Sequence, residues 1–352
     1  MTQKQPNSWK LLFMVNVKGY ISSNFTKAFL TIFLPFYLII SLIYFVRIAA
    51  FTAKIQISFG ELFLLYSYSI PDILFYTLPL SFITALANVL IKLSQDNELI
   101  ALYALGLKAK TILHSLVLLA LLFSFLLMTI SLLAMPLSKQ MYKSFKNEKR
   151  AEAKLNITAG KLGQKFGNFY VYVKEKEGEI FHDIVIYNRS DKTNEQFFAA
   201  LTGKLNNEYN AVSLLLNDGY GYTYSNNKLE QVKYESLEVY DRVYRLDFKF
   251  EDIKTYWNNA ASDIKLMQKL LFSIFVSLIP LLSVYLVASF TMINPRYQAN
   301  RSFVVIFLTT LLLYVIASSL DKWGNAFTLV LSVILVGILG QWLFSKRVSR
   351  YF

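Results

Sequence analysis

The stretch AFLTIFLPFYLIISLIYFV, Ala28–Val46, runs from Lys27 to Arg47 without a charged residue. At a rise of ~1.5 Å per residue, a helix of this length matches the ~30 Å hydrocarbon core of a bilayer. The rest of the chain has the same character. Of its 352 residues 55% are hydrophobic and only 17% are charged, against about 25% charged in an ordinary soluble domain. A net charge of +13 does not point to nucleic acid when uncharged apolar runs dominate, so membrane insertion is the first reading.

Working outward, a second span is predicted from about Leu62 to Ile91, with Pro71 and Asp72 near its start, and a third over Ile112–Pro136. Uncharged runs resume at Leu270–Ile293, Ser302–Leu320 and Asn325–Ser345. The expected fold class is an α-helical polytopic membrane protein of six spans with an inserted periplasmic all-β domain. Its expected divisions are a membrane half over 1–137, an outer stalk and β domain over 138–269, and a second membrane half over 270–352. Orientation follows from the short loops, because cytoplasmic loops keep their lysines and arginines. With the N-terminus inside, one side collects Lys4, Lys10, Lys18, Lys27, Lys92, Lys108, Lys110, Arg296, Arg301, Lys346, Arg347 and Arg350, whereas the other holds Arg47, Lys54 and Lys322. Both termini are therefore expected in the cytoplasm and the insert outside. Trp257, Trp323 and Trp342 fall near span ends, where interfacial aromatics belong.

The insert carries 21 basic and 18 acidic residues, a balance that fits an aqueous domain. Lys139–Lys165 reads as a charged helical stalk. Beyond it, Phe169–Val173 and Asp183–Tyr187 are rich in β-branched and aromatic residues, and Tyr220, Tyr222 and Tyr224 alternate between the turn signals Asp218-Gly219 and Asn226-Asn227. Short strands between turn signals predict a small all-β sandwich or jelly roll. Alternation places Phe169, Val171 and Val173 on one apolar face.

No catalytic constellation is present. Cysteine is absent and His114 and His182 are the two histidines, which removes disulfides and thiol chemistry and leaves no triad or metal cluster. Gly160-Lys161 lacks the earlier glycine and the following Ser or Thr of a phosphate loop, Leu155 and Leu162 standing there. The N-terminal segment has no short apolar core ahead of a small-residue cleavage site, so the first span is expected to be retained.

Two features carry functional readings. In the segment Lys92–Gly106, Leu99, Leu102, Tyr103 and Gly106 fall at i, i+3, i+4 and i+7, one stripe of a short helix. Asp96 and Glu98 occupy its first turn, where carboxylates suit the helix dipole, and Gly106 is a C-terminal stop. Such a helix either rests on the lipid surface or lies in a groove of a cytoplasmic partner, with Glu98 pairing to a basic residue there. Arg47, with Lys54 following, lies where few basic residues are expected. It either snorkels to headgroups or offers a bidentate fork to lipid phosphate.

Local patterns then carry a resemblance. Ile70-Pro71-Asp72, Leu78-Pro79-Leu80-Ser81, Asp96-x-Glu98 through Ala104-Leu105-Gly106, and Ile293-Asn294-Pro295-Arg296 follow one another as in the LptF/LptG permease family, which the chain resembles over nearly its full length. The last pattern and the Arg47 neighbourhood are more similar to the F branch, although Tyr44 stands where that branch can carry a second basic residue. The resemblance implies a non-catalytic permease subunit of an ABC transporter that extracts lipopolysaccharide from the bacterial inner membrane. It implies an LptB-like cytoplasmic ATPase dimer contacted by Glu98, an LptG-like homologous permease, and an LptC/LptA-like periplasmic β-domain bridge. ATP and Mg would be bound by the ATPase and no cofactor by this chain; nucleic acid is not an expected partner. It further implies lipid contact at Arg47, beside which Lys54 is a second candidate; the apolar face of Phe169, Val171 and Val173 is either a path for the acyl chains or an ordinary closed core. Two other classes fit the bare sequence: a mechanotransmitting ABC permease that moves no lipid, and a membrane-anchored enzyme.

Overall fold

The computed structural model describes residues 8–52, 57–155, 157–166, 169–188, 194–208, 211–225, 228–241, 250–292 and 302–349. Among them are six helices long and apolar enough to cross a membrane, together with one antiparallel sheet. The chain divides into two compact units, one of Met1–Ile48, Tyr66–Gln140 and Glu251–Phe352, the other of Ala49–Leu65 and Met141–Phe250.

Span one lies within helix α1, Ser8–Thr52. The second predicted span is broken. Helix α2, Phe59–Ser67, ends before α3, Ile70–Gln95, begins. Pro71, in the first turn of α3, has no N–H to give to the preceding turn, a loss that costs nothing only at a helix start, so α2 does not run on and a new helix begins there. After the short α4, Glu98–Ala104, span three begins as α5, Ala109–Thr129, widens to a π-helical turn over Ile130–Ala134, and continues as α6, Met135–Leu155. The predicted end at Pro136 is therefore passed. Pro136 cannot donate to the Leu132 carbonyl one turn back, and the Trp257 indole N–H donates there instead at 2.8 Å. Trp257 belongs to α7, Ile253–Asn258, which leads into spans four to six: α8, Ile264–Thr291, α9, Ser302–Trp323, and α10, Ala326–Phe344.

Helices α3 and α8 form the core of the membrane unit. Phe75, Phe82, Phe275, Val276 and Ile279 are fully buried, and small hydroxylated residues let span three approach α8, Ser131 Oγ of the π turn lying 3.1 Å from Ser277 Oγ. Helix α1 leans on this core through Phe25, whose ring centroid is 5.0 Å from that of Phe82, and Phe29, 4.8 Å from Phe123. Farther along α1, Leu30, Leu34, Leu38 and Leu42 are exposed from the chain. That exposure costs nothing in lipid, since acyl chains are as apolar as leucine.

The second unit holds strands β1, Gln164–Phe166, β2, Phe169–Glu177, β3, Ile180–Asn188, β4, Asn194–Glu208, β5, Ala211–Ser225, and β6, Lys228–Asp241. Each pairs with its sequence neighbour in the order β1-β2-β3-β4-β5-β6. A jelly roll needs Greek-key connections between non-consecutive strands, and the described strands make a meander instead. Asp218-Gly219 does not turn the chain. It lies inside β5, where Asp218 has φ +53°, matched by Asp183 at φ +52° in β3. The buried positions step by three at this level, Phe181 to Ile184, Ala200 to Gly203, Leu216 to Gly219, and the registers skip Asp183, Leu201 and Asp218. Residues before and after the step join one core cluster. Both halves of the long strands thus turn apolar side chains into the same interior, so a single sheet does the work of two.

Candidate functional site

The segment between spans two and three is built by local rules. Ser94 Oγ donates to the Leu90 carbonyl at 2.9 Å and to the Thr291 carbonyl at 2.8 Å, bracing the end of α3 against the end of α8. The chain then reverses through Asp96 and through Asn97, which adopts φ +60°. An Asn tolerates this left-handed conformation better than most residues. Helix α4 follows and stops at Gly106, φ +79°. There the Gly106 N–H reaches the Tyr103 carbonyl at 2.8 Å and the Leu107 N–H reaches that of Leu102 at 3.2 Å, the paired bonds of a Schellman stop.

The predicted stripe is present, and it faces inward. Leu99 is buried in the core of the membrane unit, with Leu102 and Tyr103 packed against that core. Burial pushes the Tyr103 phenol above its usual range. The side of α4 left open carries Ile100, Ala101 and Ala104, followed by the exposed Leu105. At the start of the helix Asp96 is exposed and Glu98 half-buried. The Glu98 carboxylate accepts from the Tyr20 phenol, at 3.0 Å on Oε1 and 2.9 Å on Oε2.

Toward the other end of α1, Arg47 is exposed and its guanidinium lies 5.0 Å from the centroid of the Tyr44 ring. A flat cation over an aromatic face is held by the ring quadrupole while its N–H edge stays available. At the position where the F branch can carry a second basic side chain, Tyr44 supplies a platform for Arg47. Lys54 lies outside the described residues, as does Ile293-Asn294-Pro295-Arg296. Asp72, at the head of α3, pairs with Lys139 of α6 at 3.3 Å. In the sheet unit Val171 and Val173 are fully buried and Phe169 is packed against the same cluster, on one face as alternation required.

Sequence reasoning brought Glu98 and its stop Gly106 to one short helix; Asp96, expected in the first turn, instead caps the end of α3, because the reversal at Asn97 starts the new helix after it, and Tyr20, Ser94 and Thr291, whose bonds join residues far apart in the chain, were missed. Among the described residues no group of three or more His, Asp or Glu side chains is placed to hold a metal ion.

The model of the family described as lipopolysaccharide export system permease LptF/LptG matches residues 19–346, which covers the described spans, α4 and the sheet. The match takes both branches of the family together. No curated protein matches the chain.

Proposed function

The chain belongs to the lipopolysaccharide export system permease family LptF/LptG, and from that premise we propose that it is the F-like half of a paired permease in the bacterial inner membrane. Its α4 would face the cytoplasm and dock on an LptB-like ATPase dimer, and its sheet unit would lie in the periplasm. The observation that carries this reading is α4 itself: a short helix closed by a Schellman stop, following directly on the end of α3 that Ser94 braces to α8, which presents a carboxylate and an open apolar face. A displacement imposed there is passed to two core spans rather than dissipated in a loop.

Lipopolysaccharide joins acyl chains to phosphates. The exposed leucines of α1 offer the first an apolar wall, and Arg47 on its tyrosine platform offers the second a charge-assisted fork. ATP and Mg belong to the ATPase in this scheme, which biases the permease between two states. Because α4 buries Leu99, Leu102 and Tyr103 in its own chain, the docking face falls to Glu98, Ile100, Ala101, Ala104 and Leu105. Lipid would leave by way of the sheet unit toward an LptC/LptA-like bridge. Among the described residues β6 pairs with β5 alone, and a partner strand added to that edge would continue the sheet.

One observation favours a second reading. Val171 and Val173 are packed in a closed core, as they would be in a mechanotransmitting permease whose outer unit only docks. Affinity purification of the chain from native membranes, with lipid analysis of the product, separates the two. An ATPase together with lipopolysaccharide supports the lipid permease, and an ATPase without lipid supports the mechanotransmitter. Removing one partner of a buried interfacial ion pair costs about 2–5 kcal/mol, so Glu98→Ala should strip the ATPase from the purified complex. Full recovery of both ATPase and lipid by the Glu98→Ala protein would overturn the docking assignment.

A further inference from the structure

Helix α1 and α4 are joined by a polar contact that the docking scheme does not require. The Tyr20 phenol donates its single hydrogen between the two oxygens of Glu98, at 2.9 and 3.0 Å. We propose that Tyr20 is a positioning residue that fixes the Glu98 carboxylate for its basic partner and carries the motion of α4 directly to span one. The inference rests on the reading of Glu98 as the ATPase-facing carboxylate.

An ionised carboxylate accepts at about four lone-pair positions, and one phenol hydrogen leaves most of them open. A guanidinium or ammonium can therefore bond Glu98 while Tyr20 still holds it. Both bonds are charge-assisted, and docking that excludes water from this half-buried group strengthens each. Without Tyr20 the carboxylate would keep its charge and lose its aim.

Next to Tyr20, Ile21 and Phe25 are buried in the core of the membrane unit, so this end of the helix is seated beside α3 and α5. Beyond Phe33 the helix exposes Leu34, Leu38, Leu42 and Val46. It remains one helix from Ser8 to Thr52, and the path from Tyr20 to Arg47 is about 40 Å at 1.5 Å per residue. A pull at Tyr20 acts on one continuous helix, whose far part exposes one side while Tyr37 and Ser41 hold the other to the Tyr66 hydroxyl and Ile48 is buried. Arg47, the phosphate-facing group of the proposed function, sits near the tip. Closure of the ATPase would in this way reach the headgroup site through span one, in parallel with the Ser94 brace that leads to α8.

The test is a double-mutant cycle on the complex of this chain with its homologous permease and ATPase, reconstituted in nanodiscs containing lipopolysaccharide. The quantity read is lipopolysaccharide released per ATP hydrolysed. Tyr20→Phe, which removes one oxygen and no volume, should lower that ratio about fivefold, the worth of one net hydrogen bond. Glu98→Gln should lower it at least as far, and adding Tyr20→Phe to Glu98→Gln should lower it no further. A merely structural tyrosine would lower the ratio in both backgrounds, so multiplied losses overturn the inference, as does a Tyr20→Phe complex with the parental ratio. Should Tyr20→Phe fail to accumulate, Glu98→Asp draws the carboxylate back by one methylene while keeping its charge, and is expected to show the same loss. A parental complex that hydrolyses ATP without releasing lipopolysaccharide overturns both this inference and the function it rests on. A competent parent with multiplied losses overturns the inference alone.

Discussion

Gly219 sits where β4, β5 and β6 come closest. A Cβ built on it would collide with the Ala199 carbonyl oxygen and the Tyr234 hydroxyl, and that hydroxyl donates to the same carbonyl at 3.0 Å. The missing side chain is what lets the tyrosine cross its neighbour strand, so Gly219→Ala must displace either the ring or the backbone. Overpacking of this kind costs about 1–3 kcal/mol. Thermal unfolding of the sheet unit in the full chain should show a lowered midpoint, and an unchanged midpoint would mean the strands part easily at this level. A second residue, Glu61, ties charge to stability. It closes a capping box at the start of α2, accepting from the Ser58 N–H at 2.9 Å and hydroxyl at 2.9 Å, and pairs with Lys149 at 2.7 Å. The Lys149 ammonium and then the Ser58 donors pull its carboxyl from 4.5 down to about 2. A lowered native value means that the contribution is complete above about pH 4.5 and is lost as pH falls toward about 2. The stability difference between the parent and Glu61→Gln should be constant near neutral pH and shrink in that acid window. A difference that grows on acidification would reverse the assignment.

At the scale of elements, span three shows how a helix keeps a proline without stopping. The π turn at Ile130–Ala134 precedes Pro136, and the carbonyl that Pro136 leaves without a helical donor is taken by Trp257 at 2.8 Å. One turn farther on, the Gln140 side chain accepts from the Glu251 N–H at 2.9 Å and donates to the Glu251 carbonyl at 3.2 Å. The chain's exit from the membrane unit and its return are thereby fastened together by groups that could equally have bonded water. Trp257→Phe keeps the ring and leaves the Leu132 carbonyl without that N–H. An unsatisfied group of this kind costs about 1–3 kcal/mol, and hydrogen exchange should report faster opening around 130–137. Exchange at the parental rate in the Trp257→Phe protein would show that the π turn satisfies itself.

For the whole molecule, the basic residues of the short loops predict an orientation with α4 in the cytoplasm and the sheet unit outside. Since the chain has no cysteine, single thiols can be placed without background. A thiol at Lys233 on β6 should react with a membrane-impermeant reagent in intact spheroplasts, and one at Asn97 beside α4 should react only after lysis. The reverse pattern would move α4 to the far side of the membrane from any cytoplasmic ATPase. The same experiment bears on Arg47, because the proposed phosphate contact, toward the other end of α1 from Tyr20, is expected on the side of the membrane opposite α4.

What the sequence determined by itself was the set of features that depend on contiguous residues. Six uncharged runs long enough for a bilayer became six helices because the hydrocarbon core satisfies no backbone group and accepts no charge cheaply. Gly106 ended α4 because a left-handed residue closes the last carbonyls. Phe169, Val171 and Val173 shared a face because a strand alternates. Tertiary structure decided which polar group meets which. Glu98 found Tyr20 at a separation of 78 residues and Ser94 found the Thr291 carbonyl at 197, pairings that no local period encodes. It also turned Asp218-Gly219 from a turn signal into a mid-strand step. The same positive φ that ends a hairpin in an isolated pair can instead redirect a long strand, when the neighbouring strands continue past it and the core lies on both sides of the step.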